Sequence, residues 1–366
     1  MRRLALAAVL VLAALPARAQ EGGPPPPPPD AAALRAVAAR AVDGYILPGY
    51  AALDAAAKEA ARTIGAECTA PSADQPAVFA ATFRDLLAAW AAVDFLRFGP
   101  MAENGRLERF AFWPDPHGTG TRQLRRMLAD PDPALLAPGA LARQSAAVQG
   151  LPALEGLLFA GDGPIGGTEP KARFRCDLAV AVAGNLETIA AEAVAGWQGP
   201  DGFAAVMTAP GPDNRVYRDP LEPVTEILKA VLLGLEQVRD QRLTPALGAD
   251  AASAKPSRAP YGRSGATLAY LAASTAAIDR LAQQSGLLGL APPAWKTLPN
   301  AAHFETGNVV EVFETAPALD TALTEPKARG KLEYARVVLK GLEELYQVQF
   351  AGAAGLSPGF NALDGD

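Results

Sequence analysis

The sequence predicts an all-α protein built from two tandem-duplicated helical bundles of the four-helix type, packed against each other. Three observations predict it. Apolar residues return every three or four positions along almost the whole chain, with Gly/Pro clusters as punctuation. No stretch shows the period of two that a half-buried strand needs. Pieces of the first half also recur in the second: Thr168-Glu169-Pro170-Lys171-Ala172-Arg173 returns as Thr324-Glu325-Pro326-Lys327-Ala328-Arg329, and 86–100 aligns with 231–245, pairing Arg97 with Arg242. The two offsets, 156 and 145 residues, differ by a loop's worth and argue together for duplication.

The chain opens with Arg2 and Arg3, an apolar run over 4–15 and Ala17-Arg18-Ala19. This pattern reads as a cleaved secretory signal over 1–19, which predicts export to a bacterial periplasm. No cysteine follows the cleavage site, so no lipid anchor is expected, and no later apolar run reads as long enough to span a bilayer. Six consecutive prolines at 24–29 make 20–30 an extended polyproline II spacer. The N-terminal bundle is expected over 31–198, with helices at 30–64, 76–97, 134–159 and 170–197. A Gly/Pro-rich linker covers 199–219. The C-terminal bundle follows over 220–350, with helices at 221–247, 264–285, a short piece at 300–315, and 326–349; the tail is 351–366. In each repeated hexapeptide the threonine reads as the N-cap and the proline as a first-turn residue.

Charge and cysteines bound the function. The chain carries 33 Lys+Arg against 39 Asp+Glu, a net charge of −6; loss of the signal removes three arginines and no acids, leaving 30 against 39, or −9. Such a protein gains nothing from phosphate counterion release, which excludes nucleic acid as a partner. Cys68 and Cys176 are the chain's two cysteines. In an oxidising compartment an even pair reads as a disulfide, worth ~4–5 kcal/mol in the chain-entropy treatment for a loop of this length. Both lie in the first half, so that bundle alone should be stapled.

The residues that could carry chemistry cluster at three places. In 134–159 the apolar stripe Leu141, Val148, Leu151 and Leu158 includes Glu155, a carboxylate pointing inward that needs a partner, a metal or a proton. Pro152 removes a helical N–H there and predicts a kink beside Gly150. On 76–97, Phe83, Leu87, Trp90, Asp94 and Arg97 step along one seam, which makes this pair the expected neighbour of Glu155; a local ion pair between Asp94 and Arg97 is the plainer reading. Aromatic residues around Trp113 form a loop, and His117 in it has no evident role. Gly118-Thr119-Gly120 lacks the spacing and lysine of a phosphate loop. In the second half Ser264 reads as an N-cap, and Arg263 beside it as an anion ligand at a helix start. His303 with Glu305 and Glu311 is a weak metal-ligand set.

Together these motifs carry a resemblance. Gly150-Leu151-Pro152-Ala153-Leu154-Glu155 resembles the Gly-x-His-x-x-Glu signature of the imelysin-like (peptidase M75-type) bacterial envelope proteins, with Pro152 where the histidine stands. The end of the 76–97 helix (Trp90 to Pro100), Phe112-Trp113-Pro114-Asp115 and Arg263-Ser264-Gly265 follow in the family's order. The resemblance covers nearly the whole mature chain. It implies two helical bundles, a link to iron uptake, and a site in the groove between bundles around the motif residues. Of the His/Glu pair only Glu155 carries over, so peptidase chemistry loses its activating ligand and a cation would rely on oxygens, Glu155 above all. The expected function is therefore a periplasmic, non-enzymatic protein that binds a ligand, metal or partner in an iron-acquisition system. Its groove would be built by Glu155, Asp94, Arg97, Trp113, Arg263 and Ser264, with iron or another cation as cofactor candidate and envelope iron-uptake or redox proteins as partners. The alternatives are an M75-type metallopeptidase and a structural protein that docks others in the envelope.

Overall fold

The computed structural model describes residues 29–159, 165–357 and 359. The expected signal, most of the spacer and the end of the tail lie outside them. The chain runs through α1 (Ala31–Ala41), a π-helical turn (Val42–Ile46) and α2 (Leu47–Thr69) as one rod, then α3 (Gln75–Ala91), α4 (Arg106–Phe110), α5 (Thr119–Ala129), α6 (Leu151–Phe159) and α7 (Pro170–Trp197). Next come α8 (Phe203–Thr208), α9 (Leu221–Glu236), a second π-helical turn (Gln237–Leu243) and α10 (Thr244–Leu247). The chain closes with α11 (Thr267–Ser285), α12 (Leu298–Thr315), α13 (Leu319–Thr324), α14 (Pro326–Glu344), a third π-helical turn (Leu345–Phe350) and α15 (Ala351–Ala353). Among the described residues there is no strand.

Two rings of four helices organise the packing. In the first, α2 lies between α3 and α7, and α6 closes the ring against α7 and α3. Tyr50, Leu53, Ala57, Ala60, Ile64 and Cys68 form the buried stripe of α2, spaced by threes and fours as a core-facing helix requires. The α2 and α7 helices run antiparallel. Cys68 is bonded to Cys176 at one end, with Cα atoms 5.6 Å apart. At the other end the Tyr50 and Trp197 rings lie 5.7 Å apart. In the second ring α9, α11, α12 and α14 pack in order and α14 returns to α9. The rings meet where α3 lies on α11 and where α1 lies on α9 and α11. One buried apolar cluster runs from Leu34 to Leu356 through both.

The repeated hexapeptides open α7 and α14, the fourth helix of each ring. Their N-caps are the glutamates, not the threonines: Glu169 accepts from the Ala172 N–H, and Glu325 from the Lys327 and Ala328 N–H groups. A carboxylate reaches the orphan donors of the first turn and complements the helix dipole, which a hydroxyl does more weakly. The other matched stretch falls on α3, second in its ring, and α9, first in its own. It therefore does not follow the ring order.

Several expected boundaries move. The 134–159 segment is not one helix: short 3-10 turns at Pro133–Leu136, Leu141–Arg143 and Ala146–Val148 precede α6. Pro152 takes the second position of α6, where no N–H is needed, so it starts a helix rather than kinking one. The α3 helix stops at Ala91, where the chain tightens into turns with the Val93 N–H on the Trp90 carbonyl and the Leu96 N–H on the Val93 carbonyl. That turn drives Phe95 into the core; a Cβ on Gly234 of α9 would sit 3.2 Å from the Phe95 Cβ and 2.8 Å from Ile278. The expected short piece at 300–315 is the full α12. By length and composition α7 does qualify as a span, with an 18-residue window of mean hydropathy 1.4, contrary to the reading that no later run would. Its apolarity serves the core, where Leu178, Val182, Leu186 and Ile189 are fully buried.

Candidate functional site

The motif turn is built by close backbone approach. A Cβ on Gly150 would lie 2.2 Å from the Phe110 carbonyl oxygen and 2.6 Å from that of Arg109, so only glycine lets α4 and the start of α6 touch. Gln149 holds the turn from the side: its Oε1 accepts from Arg109 Nε at 2.9 Å and its carbonyl from Asn185 Nδ2 at 3.1 Å. The Gly150 carbonyl then accepts from the Ala153 and Leu154 N–H groups at 3.0 Å each, which launches α6.

One turn later Glu155 is 4% exposed, and it faces the loop before α11 rather than its own ring. Its Oε1 accepts from the Ser264 backbone N–H and from Ser264 Oγ, both at 2.9 Å. Burial pushes the Glu155 pKa up, against the Ser264 donors and the Arg263 charge, which pull it down. Ser264 is thus no helix cap; α11 starts three residues later, at Thr267. Arg263 reaches sideways, donating from Nη2 to Thr121 Oγ1 of α5 at 3.2 Å. Tyr261 in the same loop has φ +56°, a left-handed conformation that costs an aromatic residue energy. Its ring is held edge-on by Tyr270 at 4.9 Å and by Phe83 at 5.8 Å.

Asp94 is 1% exposed and belongs to a separate constellation. Its Oδ2 accepts from Arg242 Nη2 at 2.7 Å and from the Tyr270 hydroxyl. The expected Asp94–Arg97 pair is therefore replaced by a bridge between the rings, since the turn after Ala91 carries Arg97 off the helix face. Arg242 lies with its Cζ 4.7 Å from the Tyr270 ring centroid and donates to Ser274 Oγ at 3.2 Å. Burial works against its charge, but Asp94 outweighs this and its pKa rises. Tyr270 keeps its proton, because burial drives its pKa well above the ordinary value.

Arg97 keeps solvent access. The Gln237 amide, with its oxygen toward Arg97, accepts from Nη2 at 3.0 Å and from Nε at 3.3 Å; its other orientation offers a longer bond, 3.4 Å, to Arg242. In the orientation that satisfies its oxygen, the amide serves Arg97 and not Arg242. Loss of water around its guanidinium lowers the Arg97 pKa and Arg242 adds to this, while Asp94, Tyr270 and Glu108 oppose it.

These side chains line a cleft with Trp90, Ala111, Trp113, Gln241, Pro260 and Tyr261. The cleft opens to solvent, and its inner cavity measures about 20 Å³, room for one or two waters where each needs roughly 10–15 Å³. Two of its lining residues carry a buried polar atom without a hydrogen-bond partner, Asp94 Oδ1 and Trp113 Nε1; Tyr50, Asp54, Trp197 and Thr244 carry others away from the cleft. The predicted site residues therefore separate into two groups. Asp94, Arg97 and Trp113 share the cleft; Glu155, Ser264 and Arg263 form a clasp beside it, joined to it through Pro260 and Tyr261.

A metal does not fit the donor set. Glu155 offers an oxygen already taken by two donors, and Asp94 is tied to a guanidinium. Arg97, Arg242 and Arg263 make the surroundings cationic. Among the described residues no group of three or more His, Cys, Asp or Glu side chains could hold a metal ion. His303 does not join Glu305 and Glu311; its Nδ1 lies 2.6 Å from Asp279 Oδ2 on α11. His117 contributes its carbonyl to Arg122. Sequence reasoning missed Tyr270, Gln237 and Thr121. It also missed α5, whose start is marked by Asp115 accepting from the Thr119 and Gly120 N–H groups and whose Leu124, Met127 and Leu128 repeat at helical spacing.

The family model for imelysin, the M75 peptidases, matches residues 46–327. Curated proteins give no match. Among solved structures, an imelysin-like protein from Psychrobacter arcticum 273-4 superposes with a TM-score of 0.73 at 19% identity, covering 90% of this chain and 98% of its own. A protein from Parabacteroides distasonis ATCC 8503, provisionally described as an iron-regulated protein A precursor, gives 0.69 at 14%, covering 88% and 96%. At these identities the likeness carries the fold.

Proposed function

The chain belongs to the imelysin family, and on that footing we propose that it is a non-enzymatic ligand-binding protein of the bacterial envelope, exported to the periplasm and serving iron acquisition. The observation that carries this reading is the solvent-open cleft itself, where the exposed Arg97 stands with Asp94 and Trp113, two lining residues that each carry a buried polar atom without a hydrogen-bond partner. Leaving a buried polar group unpaired costs about 1–3 kcal/mol, and a ligand that reached them would give both atoms a partner. The iron connection rests on the description of the Parabacteroides neighbour, and the export on the pattern of residues 1–19.

Peptidase chemistry has little to work with here. The motif carboxylate is engaged by Ser264, Pro152 replaces the nitrogen donor, and neither histidine joins the site. A purely structural docking role accounts less well for the unpaired atoms. The test is a gene deletion grown under iron restriction and complemented with wild-type protein or Arg97→Gln. We expect slower growth restored by wild type alone. Normal growth of the deletion would remove the iron reading, and chelator-sensitive cleavage of an unfolded protein, lost in Glu155→Gln, would replace it with the peptidase.

A further inference from the structure

We infer that the loop over 259–266 is a gate to the inner cleft: Tyr261 is its moving wall, and the Glu155–Ser264 pair is the latch that holds it shut. The inference rests on the cleft as the binding site and adds how that site is entered. The inner cavity measures about 20 Å³, room for one or two waters at roughly 10–15 Å³ each. Anything larger enters only if a wall gives way. Trp90 belongs to α3 and Tyr270 to α11, buried where these two helices pack together. Asp94 and Arg242 are bonded to each other. Pro260 and Tyr261 stand instead on the connection between α10 and α11.

Among the lining residues Tyr261 alone has a left-handed backbone, φ +56°. A bulky L residue leaves that region when its surroundings allow, so the shut position stores strain that opening releases. Three sets of contacts oppose the release. The Pro260 carbonyl accepts from Thr267 Oγ1 at 2.6 Å, which ties the base of the loop to α11 and makes it the pivot. The Tyr261 ring packs edge-on against Phe83 and Tyr270, which keeps the shut form dominant. Across to the first ring, Ser264 N–H and Oγ hold Glu155, and Arg263 Nη2 donates to Thr121 Oγ1. Gly262, Arg263 and Gly265 are exposed, so the loop shifts here without disturbing the core. The latch then sets how often Tyr261 swings away from the cleft.

Residue-resolved hydrogen exchange of the mature protein in low, sub-denaturing urea tests this. The reporters are the Gly265 and Ala266 N–H groups, which bond to the Gly262 and Tyr261 carbonyls at 3.3 and 3.1 Å. A gate opens locally, so both should exchange faster than the amides of α6 and α11 and ignore the urea that speeds those. Glu155→Ala should speed the reporters about tenfold or more, and Ser264→Ala about fivefold. Tyr261→Ala and Tyr261→Gly both remove the ring, and alanine alone keeps the strain; the alanine loop should exchange about threefold faster or more. The inference is overturned if the reporters share the rates and urea dependence of α6 and α11, which would make the pair a pin that yields only on unfolding. It is equally overturned if Glu155→Ala and Ser264→Ala leave them unchanged, or if the alanine and glycine loops exchange alike. No ligand enters these rates, so failure here leaves the binding reading to the growth test, and a failed growth test leaves the loop's opening as measured.

Discussion

Glu155 and Asp94 are both buried carboxylates that the sequence placed on apolar seams, yet the fold completes them in opposite ways. Glu155 Oε1 meets two neutral donors from one residue, Ser264. Asp94 has one oxygen bound by Arg242 and Tyr270 and the other bound by nothing. The first carboxylate fastens a loop to α6, and the second pairs with a guanidinium and holds the two rings together. Burial alone thus does not tell the two acids apart; the charge of the partner does.

Substitution at the two acids sharpens this contrast. The largest effect is expected for Asp94→Ala, which strands Arg242 at 5% exposure without its counter-charge. Breaking such a pair from one side costs about 3–5 kcal/mol, read from the midpoint of urea unfolding. Glu155→Ala should cost less, about 1–3 kcal/mol, because the groups it strands are neutral donors and the Ser264 hydroxyl can turn to the Tyr261 carbonyl, already 3.0 Å away. Ser264→Ala should cost about 1 kcal/mol, since the backbone N–H still reaches Glu155. Equal losses at Asp94 and Glu155 would erase the distinction.

The helical class, the disulfide and the seam carrying Asp94 were legible because each depends on local spacing or on a short list of candidates. The chemistry of the site was not, since each carboxylate takes its partners from far along the chain: Ser264 lies 109 residues from Glu155, and Arg242 lies 148 from Asp94. Periodicity also carried 134–159 through as one helix. What breaks it is the contact of Gly150 with the carbonyls of Arg109 and Phe110, a tertiary fact that no local pattern contains. Pro152 was read as a kink for the same reason; once the helix begins at Leu151, the proline sits where its missing N–H does no harm. The alignment of Arg97 with Arg242 was informative in an unexpected way. The helices before them do not correspond in ring order, yet both guanidinium groups line one cleft.

The smallest expected effect is the most specific test of the clasp. Glu155→Gln keeps an acceptor oxygen for the Ser264 N–H and removes the charge, so stability near neutral pH should change by less than about 1 kcal/mol. Its pH dependence should change more clearly. The Glu155 carboxyl titrates above its ordinary value in the fold, because burial disfavours the anion. Between the ordinary value and the raised one the native protein holds more protons than the unfolded chain, so this group's contribution is full at low pH and is lost as pH rises through the folded value. The glutamine variant lacks this loss, and its stability relative to wild type should climb with pH across that window. Urea unfolding of both proteins from acid to neutral pH reads it directly. A relative stability that falls instead would mean that the Ser264 donors and Arg263 outweigh burial, making Glu155 a stabilised anion.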